Sequence, residues 1–168
     1  MSVIYIRHGK DKESHYKHDE KLSEEGKKEI LKFTEKLVKE YGVPDIIYYS
    51  PFRRTQQTTK YMIKKLKEIT DKKVIYKTDT SLGRFFTRTQ RRNPSVRKST
   101  FSKGVIIDER YEEFKERVEE QMENVLSKNY KIIWNITHSL ILLHVAKLQN
   151  IGIDKRVNYL DKIVINKN

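Results

Sequence analysis

The sequence predicts a three-layer α/β/α sandwich whose central sheet is mainly parallel. Three observations carry that expectation. Short apolar runs (Val3-Ile4-Tyr5-Ile6, Ile46-Ile47-Tyr48-Tyr49 and Lys131 to Ile136) alternate along the chain with longer segments of helical period, the pattern of repeated strand–helix–strand units. The runs are mostly apolar rather than alternating, as strands covered on both faces are. The 168 residues suit one domain with a sizeable core, and neither an internal repeat nor a linker interrupts them.

Taken in order, residues 3–6 read as a central strand, and the polar stretch 9–22 as a loop. Ser23 is a helix N-cap, with Glu24 and Glu25 in the first turn where the dipole favours acids. Ile30, Leu31, Phe33, Leu37, Val38 and Tyr41 follow at helical spacing, and Gly42 and Pro44 end that helix. Asp45 to Tyr49 forms a second strand, closed by Ser50-Pro51. Thr58, Tyr61, Met62, Leu66 and Ile69 mark one face of a helix over about 53–69, and Lys73 to Lys77 reads as a third strand. Residues 79–106 show no clear period and read as a long basic loop or lid within the single domain 1–168. A helix over about 108–127 carries Tyr111, Phe114, Val118, Met122 and Val125 in register. After the strand at 131–136, Leu140 begins a largely buried helix, and Ile163-Val164-Ile165 is a last short strand.

Composition narrows the chemistry. The chain has no cysteine, which excludes disulfides, thiolate zinc sites and cysteine nucleophiles and fits a cytoplasmic protein. No run approaches the ~18 apolar residues of a membrane span, and the immediate entry into a strand argues against a signal peptide. The net charge of +13 suits a polyanionic partner or substrate, or simply a lysine-rich composition. Arg84, Arg88, Arg91, Arg92, Arg97, Lys98 and Lys103 follow one another without an intervening acid, which suits a lid over a second anionic group of a substrate or a solvated loop. Nucleic-acid binding rests on charge alone, without an aromatic platform or a binding motif.

In open α/β sheets, ligands collect at the carboxyl ends of the strands. That rule selects Arg7-His8-Gly9 after the first strand, Ser50 to Arg54 after the second and Thr137-His138-Ser139 after the fourth. A neutral imidazole is a competent nucleophile toward phosphorus. Neighbouring arginines depress its pKa and hold phosphoryl oxygens by charge-assisted hydrogen bonds. His8 is thus the candidate nucleophile, and Arg7, Arg54 and His138 are candidates to stabilise the charge of the transferring group. The chemistry requires no metal or cofactor, and His15 and His18 lack a third ligand of suitable spacing. A leaving alcohol requires a carboxylic acid as proton donor.

This grouping resembles the histidine phosphatase superfamily, which includes the cofactor-dependent phosphoglycerate mutases. Arg7-His8-Gly9 resembles that family's signature, whose histidine is phosphorylated. Asp19 to Gly26 resembles its D-x-x-L-[ST]-x-x-G segment, and Ser50 to Thr58 its S-P-x-x-R-[AT]-x-Q-T segment, with Arg54 as phosphate ligand. Glu109 and Arg117 sit like the Glu and Arg of its G-E-S…R helix, and Thr137-His138-Ser139 resembles its second histidine motif. The resemblance implies a phosphoglycerate mutase-like sandwich and a phosphatase acting on a phosphorylated small molecule or phosphoprotein.

Two positions depart from the family pattern. Ser14 stands where the family often has a phosphate-binding asparagine. Arg84 stands in Leu82-Gly83-Arg84 where an L-x-E segment carries the proton donor. Ser14 and Arg84 are accordingly expected to bind substrate, and the acid is sought among Glu109, Asp79 and Asp108, with Glu109 first. If no carboxylate serves, the enzyme is confined to good leaving groups or is a phosphate-binding pseudo-enzyme. Mutase-type phosphotransfer is disfavoured, since 168 residues leave little room for the insertions that enclose a bisphosphate in the resembling mutases. Buried in an apolar helix pattern, His144 reads as a core histidine.

Overall fold

Strand β1 (Ser2–Arg7) runs through the middle of the sheet, and its four central residues are wholly buried. The computed structural model describes residues 1–12, 19–105, 107–153 and 156–167. Ser14, His15 and His18 lie outside the described residues. The other strands are β2 (Ile46–Tyr49), β3 (Ile75–Thr78), β4 (Ile132–Thr137) and β5 (Lys162–Asn166). Their order is β3-β2-β4-β1-β5. Pairing is parallel except at the edge, where β5 runs antiparallel to β1.

Side chains alternate across a strand, so each sheet face collects every second residue. Val3, Tyr5, Ile46 and Ile133 point to one face, under Phe114, Val118 and Val125 of α5 (Tyr111–Leu126) and Ile141, Leu142 and Val145 of α6 (Ser139–Leu148). Ile4, Ile6, Ile47, Trp134 and Ile136 point to the other, under Ile30 and Leu37 of α1 (Glu24–Tyr41) and Met62 and Leu66 of α2 (Arg53–Ile69). This is the expected α/β/α sandwich with a mainly parallel sheet. Each such side chain contributes about 1.5–3 kcal/mol by leaving water.

The main correction concerns residues 79–106, expected as a loop. This stretch contains a 3-10 turn (Thr80–Leu82) and two short helices, α3 (Arg88–Arg92) and α4 (Pro94–Phe101). Thr87 and Gln90 form a reciprocal capping box on α3, while Asn93 caps α4 and Pro94 opens it. Helices of 5 and 8 residues are too short to show a 3.6-residue period, which explains why the pattern concealed them. Phe86, Val96 and Val105 pack on Phe52, so the basic segment has a small apolar core of its own. β3 starts two residues later than expected, and α5 starts at Tyr111 because Glu113 accepts a hydrogen bond from the Arg110 backbone N–H at 2.8 Å.

At the start of α1, Ser23 Oγ accepts from Gly26 N at 3.0 Å, and the Ser23 hydroxyl and amide both donate to Lys10 O. That carbonyl lies against Gly26, where a Cβ would collide with it. Gly26→Ala therefore forces apart α1 and the strand-end segment that follows His8. A loss of about 1–3 kcal/mol is expected, read as a lower midpoint of urea unfolding with an unchanged slope.

Candidate active site

Pairing of β1 with β4 sets Arg7 opposite Thr137, and His8 N continues the ladder by donating to Thr137 O at 3.0 Å. The next residues, His8 and His138, are therefore neighbours, with buried rings edge to face and centroids 5.4 Å apart. His8 Nδ1 lies 2.9 Å from its neighbour's carbonyl, Gly9 O. The carbonyl can only accept, so Nδ1 carries the proton and Nε2 keeps its lone pair. In His138 the roles reverse. Arg54 Nη2 donates to its Nδ1 at 3.3 Å, and Nε2 faces Ser50 Oγ at 2.9 Å.

Three guanidinium groups surround the two rings. Arg7 Nη1 donates to Val157 O at 2.6 Å, and its Cζ stacks 4.2 Å from the Tyr159 ring. Its Nε is buried without a hydrogen-bond partner among the described residues. Arg54, buried at the start of α2, has Asp11 Oδ2 3.9 Å from its Nη1. Arg84 is half-buried, with its Cζ 5.1 Å from the Phe86 ring and its Nη2 on Gln90 Oε1 at 3.3 Å. Burial, then the charge of Arg54, holds both imidazoles well below their usual pKa. The Gly9 hydrogen bond opposes the shift at His8, and each ring also feels Arg7 and Arg84. Both histidines are therefore neutral at pH 7. The geometry is a cationic nest with an unprotonated nitrogen inside it, suited to a tetrahedral oxyanion and to nucleophilic attack on it.

A family model for the histidine phosphatase superfamily (branch 1) matches residues 3–156. The chain belongs to that superfamily. No curated protein matches it. Among solved structures, it is similar to the ecdysone phosphate phosphatase of Bombix mori in complex with tungstate, at 15% identity and a TM-score of 0.70, covering 99% of this chain and 89% of that one. It is also similar to the alpha-ribazole phosphatase of Shigella flexneri, at 18% identity and a TM-score of 0.67, over 100% and 91% of the two chains. Mycobacterial glucosyl-3-phosphoglycerate phosphatase gives 16% identity and a TM-score of 0.66 over 99% and 90%. Identities this low establish the shared fold.

The histidine phosphatase motifs acquire physical reasons in this chain. Thr55 Oγ1 donates to Ser50 O (2.6 Å) or Phe52 O (2.7 Å), shaping the turn that presents Arg54. Gln57 Oε1 accepts from Leu22 N at 2.8 Å, and Thr58 Oγ1 accepts from Gly9 N at 3.0 Å. One turn of α2 thus fixes both segments flanking the 13–18 stretch. Asp19 Oδ1 accepts from Arg53 N at 2.6 Å, an acid on a helix N-terminus, and its other oxygen lies 3.2 Å from Lys103 Nζ.

The structure brings together Arg7, His8, Arg54, Arg84 and His138, and it leaves Glu109 out. Both Glu109 oxygens are taken by Arg117, at 2.6 and 2.8 Å, in a recess lined by Ser81, Glu113 and Glu116 and by neither imidazole. Arg117 Nη1 also donates to Ser81 O and Gly83 O. The expectation of Glu109 as proton donor is corrected accordingly: it orients Arg117, which grips the turn before Arg84. Asp79 accepts from Ser81 N and Gln121 Nε2, and Asp108 pairs with exposed Arg97. His144 is buried beside Phe114 and Glu119.

Sequence reasoning missed Asp11 and Tyr159. Tyr159 O–H donates to Asp11 Oδ1 at 2.9 Å, and the tyrosine ring lies 5.7 Å from that of His8. Tyr159 comes from an aperiodic turn before β5, where nothing local marks it.

Two histidines buried neutral make stability pH-dependent. Their folded pKa values lie below the unfolded one, so stability is full above about pH 6.5 and falls as the unfolded chain takes up protons below it. Each contributes a slope of about 1.4 kcal/mol per pH unit. Urea unfolding between pH 7.5 and 5.5 is expected to show this loss, reduced in His8→Gln/His138→Gln.

Proposed function

We propose that this histidine phosphatase is a phosphohydrolase that moves a phosphoryl group from its substrate to His8 Nε2 and then to water. The observation that carries this reading is the His8 tautomer. Nδ1 is tied to Gly9 O, which leaves the Nε2 lone pair available within a nest of arginines. In the first step Nε2 attacks phosphorus, the P–N bond forms and the bond to the leaving oxygen breaks. In the second, water attacks the phosphohistidine, orthophosphate departs and the neutral imidazole returns.

Arg7 and Arg54 hold the equatorial oxygens, with the orphaned Arg7 Nε supplying a donor that has no other partner among the described residues. His138 Nε2–H, which meets Ser50 Oγ at 2.9 Å, can turn from that acceptor to a phosphoryl oxygen. Preorganised donors of this kind stabilise the transition state because they need no reorganisation as charge develops. No metal is invoked. The substrate is a phosphorylated small molecule or phosphoprotein. The names of the similar structures, which are phosphatases of ecdysone phosphate, alpha-ribazole and glucosyl-3-phosphoglycerate, support the first. The chain acts as one domain, with 79–106 as a basic cover over the site. No described helix is long and apolar enough to cross a membrane.

An aryl phosphate assay tests the reading. The parent is expected to turn over and, on rapid acid-free quenching, to yield an acid-labile, base-stable phosphoenzyme. His8→Ala should lose both, with activity down at least ~10³-fold if nucleophilic catalysis carries the rate. A parent with no turnover and no phosphoenzyme refutes it. Arg54→Met should reduce kcat by about 10²–10³-fold, as loss of a transition-state donor does, while the circular dichroism spectrum stays that of the parent.

A further inference from the structure

Beside the two imidazoles and Arg54, the described residues hold a further fixed cation, Arg84. Arg84 is not a surface arginine that happens to be near. The turn that presents it is held from two directions: Thr137 Oγ1, at the end of β4, donates to Leu82 O at 2.8 Å, and Arg117 donates to Ser81 O and Gly83 O. Gly83 itself has no space for a side chain, since a Cβ would lie 2.9 Å from Thr80 O and 3.2 Å from Val105. Beyond the turn, Phe86 supports the guanidinium and packs on Phe52, whose ring meets His138 edge to face at 5.3 Å. Burial and the Arg54 charge bring the Arg84 pKa down to about 10, so it remains protonated at neutral pH. No carboxylate pairs with it among the described residues.

Among the described residues, Asp11 is a carboxylate that meets groups of the nest. One of its oxygens accepts from Tyr159 O–H and the other faces Arg54. Only the first of these is a hydrogen bond; the second oxygen lies 3.9 Å from Arg54 Nη1 and acts as a counter-charge. Asp19 is occupied by Arg53 N and Lys103.

A fixed cation and a transferable proton suit different leaving groups. An alkoxide is about as basic as hydroxide, whose conjugate acid has a pKa of about 15.7, so it departs only with a proton. A phosphate monoester leaves as an anion whose own pKa is about 6, roughly ten units lower, and it requires charge stabilisation rather than protonation. Resting on the phosphohydrolase reading above, we propose that the protein's substrates are phosphoric anhydrides (terminal phosphoryl groups of diphosphates, polyphosphates or nucleoside polyphosphates) and that Arg84 binds the departing phosphate. His8 Nε2 bonds to the terminal phosphorus. The P–O bond to the bridging oxygen breaks, and its electron pair leaves with that oxygen as a phosphate paired to Arg84. Water then cleaves the P–N bond, its proton passes to solvent, and orthophosphate is released.

The test compares kcat/KM for inorganic pyrophosphate, 4-nitrophenyl phosphate and glycerol 2-phosphate in EDTA, with His8→Ala as the control for contaminating activity. The proposal expects pyrophosphate to exceed glycerol 2-phosphate by at least ~100-fold. It also expects Arg84→Gln to lower the pyrophosphate value at least ten times more than the aryl phosphate value. Arg84→Lys should restore part of that difference, since it keeps the charge without the planar fork. Equal or better turnover of glycerol 2-phosphate overturns the proposal, as does a uniform fall across substrates in Arg84→Gln. A selective loss of alkyl phosphate turnover in Asp11→Asn also overturns it, by identifying Asp11 as the acid. Those three results leave the phosphohydrolase reading standing. Absence of both aryl phosphate turnover and phosphoenzyme removes that reading and the proposal with it.

Discussion

The parallel pairing of β1 with β4 is the constraint on which the site depends. Register places Arg7 beside Thr137, and one further residue along each strand places two imidazoles ring to ring. A slip of one residue in either strand would turn every side chain to the opposite face. It would turn Arg7 toward a core face where an isoleucine belongs and separate the histidines. The register is in turn fixed by the two cores: Val3, Tyr5 and Ile133 fill one face, and Ile4, Ile6, Trp134 and Ile136 fill the other. Core packing and catalytic geometry are therefore one set of contacts read at two ends of the same strands.

Concentrating three guanidinium groups around two buried imidazoles opposes folding. Like charges repel and each loses hydration, and groups among the described residues offset part of this. Asp11 stands 3.9 Å from Arg54, too far for a tight ion pair. Tyr159 and Phe86 give Arg7 and Arg84 aromatic faces, which attract a cation while leaving its hydrogen-bond donors available. Arg7 Nε keeps a donor without a partner among the described residues, which the proposed phosphoryl group can take. Such retained strain is expected of a site whose ligand supplies the missing charge.

Much of the fold and part of the site were legible in the sequence. The strands announce themselves because both faces are covered, and Ser23 because an N-cap is a local device. Arg7, His8, Arg54 and His138 follow strand ends, so the general rule for open sheets finds them. The failures share a physical cause. The helices α3 and α4 are held by caps, and α4 also by the packing of Val96 on Phe52, which leave no period to detect. Tyr159 and Asp11 meet across 148 residues of sequence, through packing that no local pattern encodes. Glu109 is mistaken for an acid because a carboxylate eight residues from an arginine looks the same whether it faces substrate or grips that arginine.

The Glu109–Arg117 pair acts on the turn that precedes Arg84. A buried, bidentate ion pair is weak evidence for net stability, yet removing one partner is strongly destabilising because it strands the other charge. Its effect here is positional: Arg117 carries the pair's rigidity to two turn carbonyls, Ser81 O and Gly83 O, and Thr137 fixes Leu82 O between them from the sheet. The residue after that turn is consequently held in place relative to His8 through β4 and α5, whatever its identity. A glutamate there would be a positioned acid, and the arginine that occurs is a positioned cation. Under the anhydride proposal, the scaffold fixes where this side chain stands, and the side chain's identity sets whether it offers a proton or a charge.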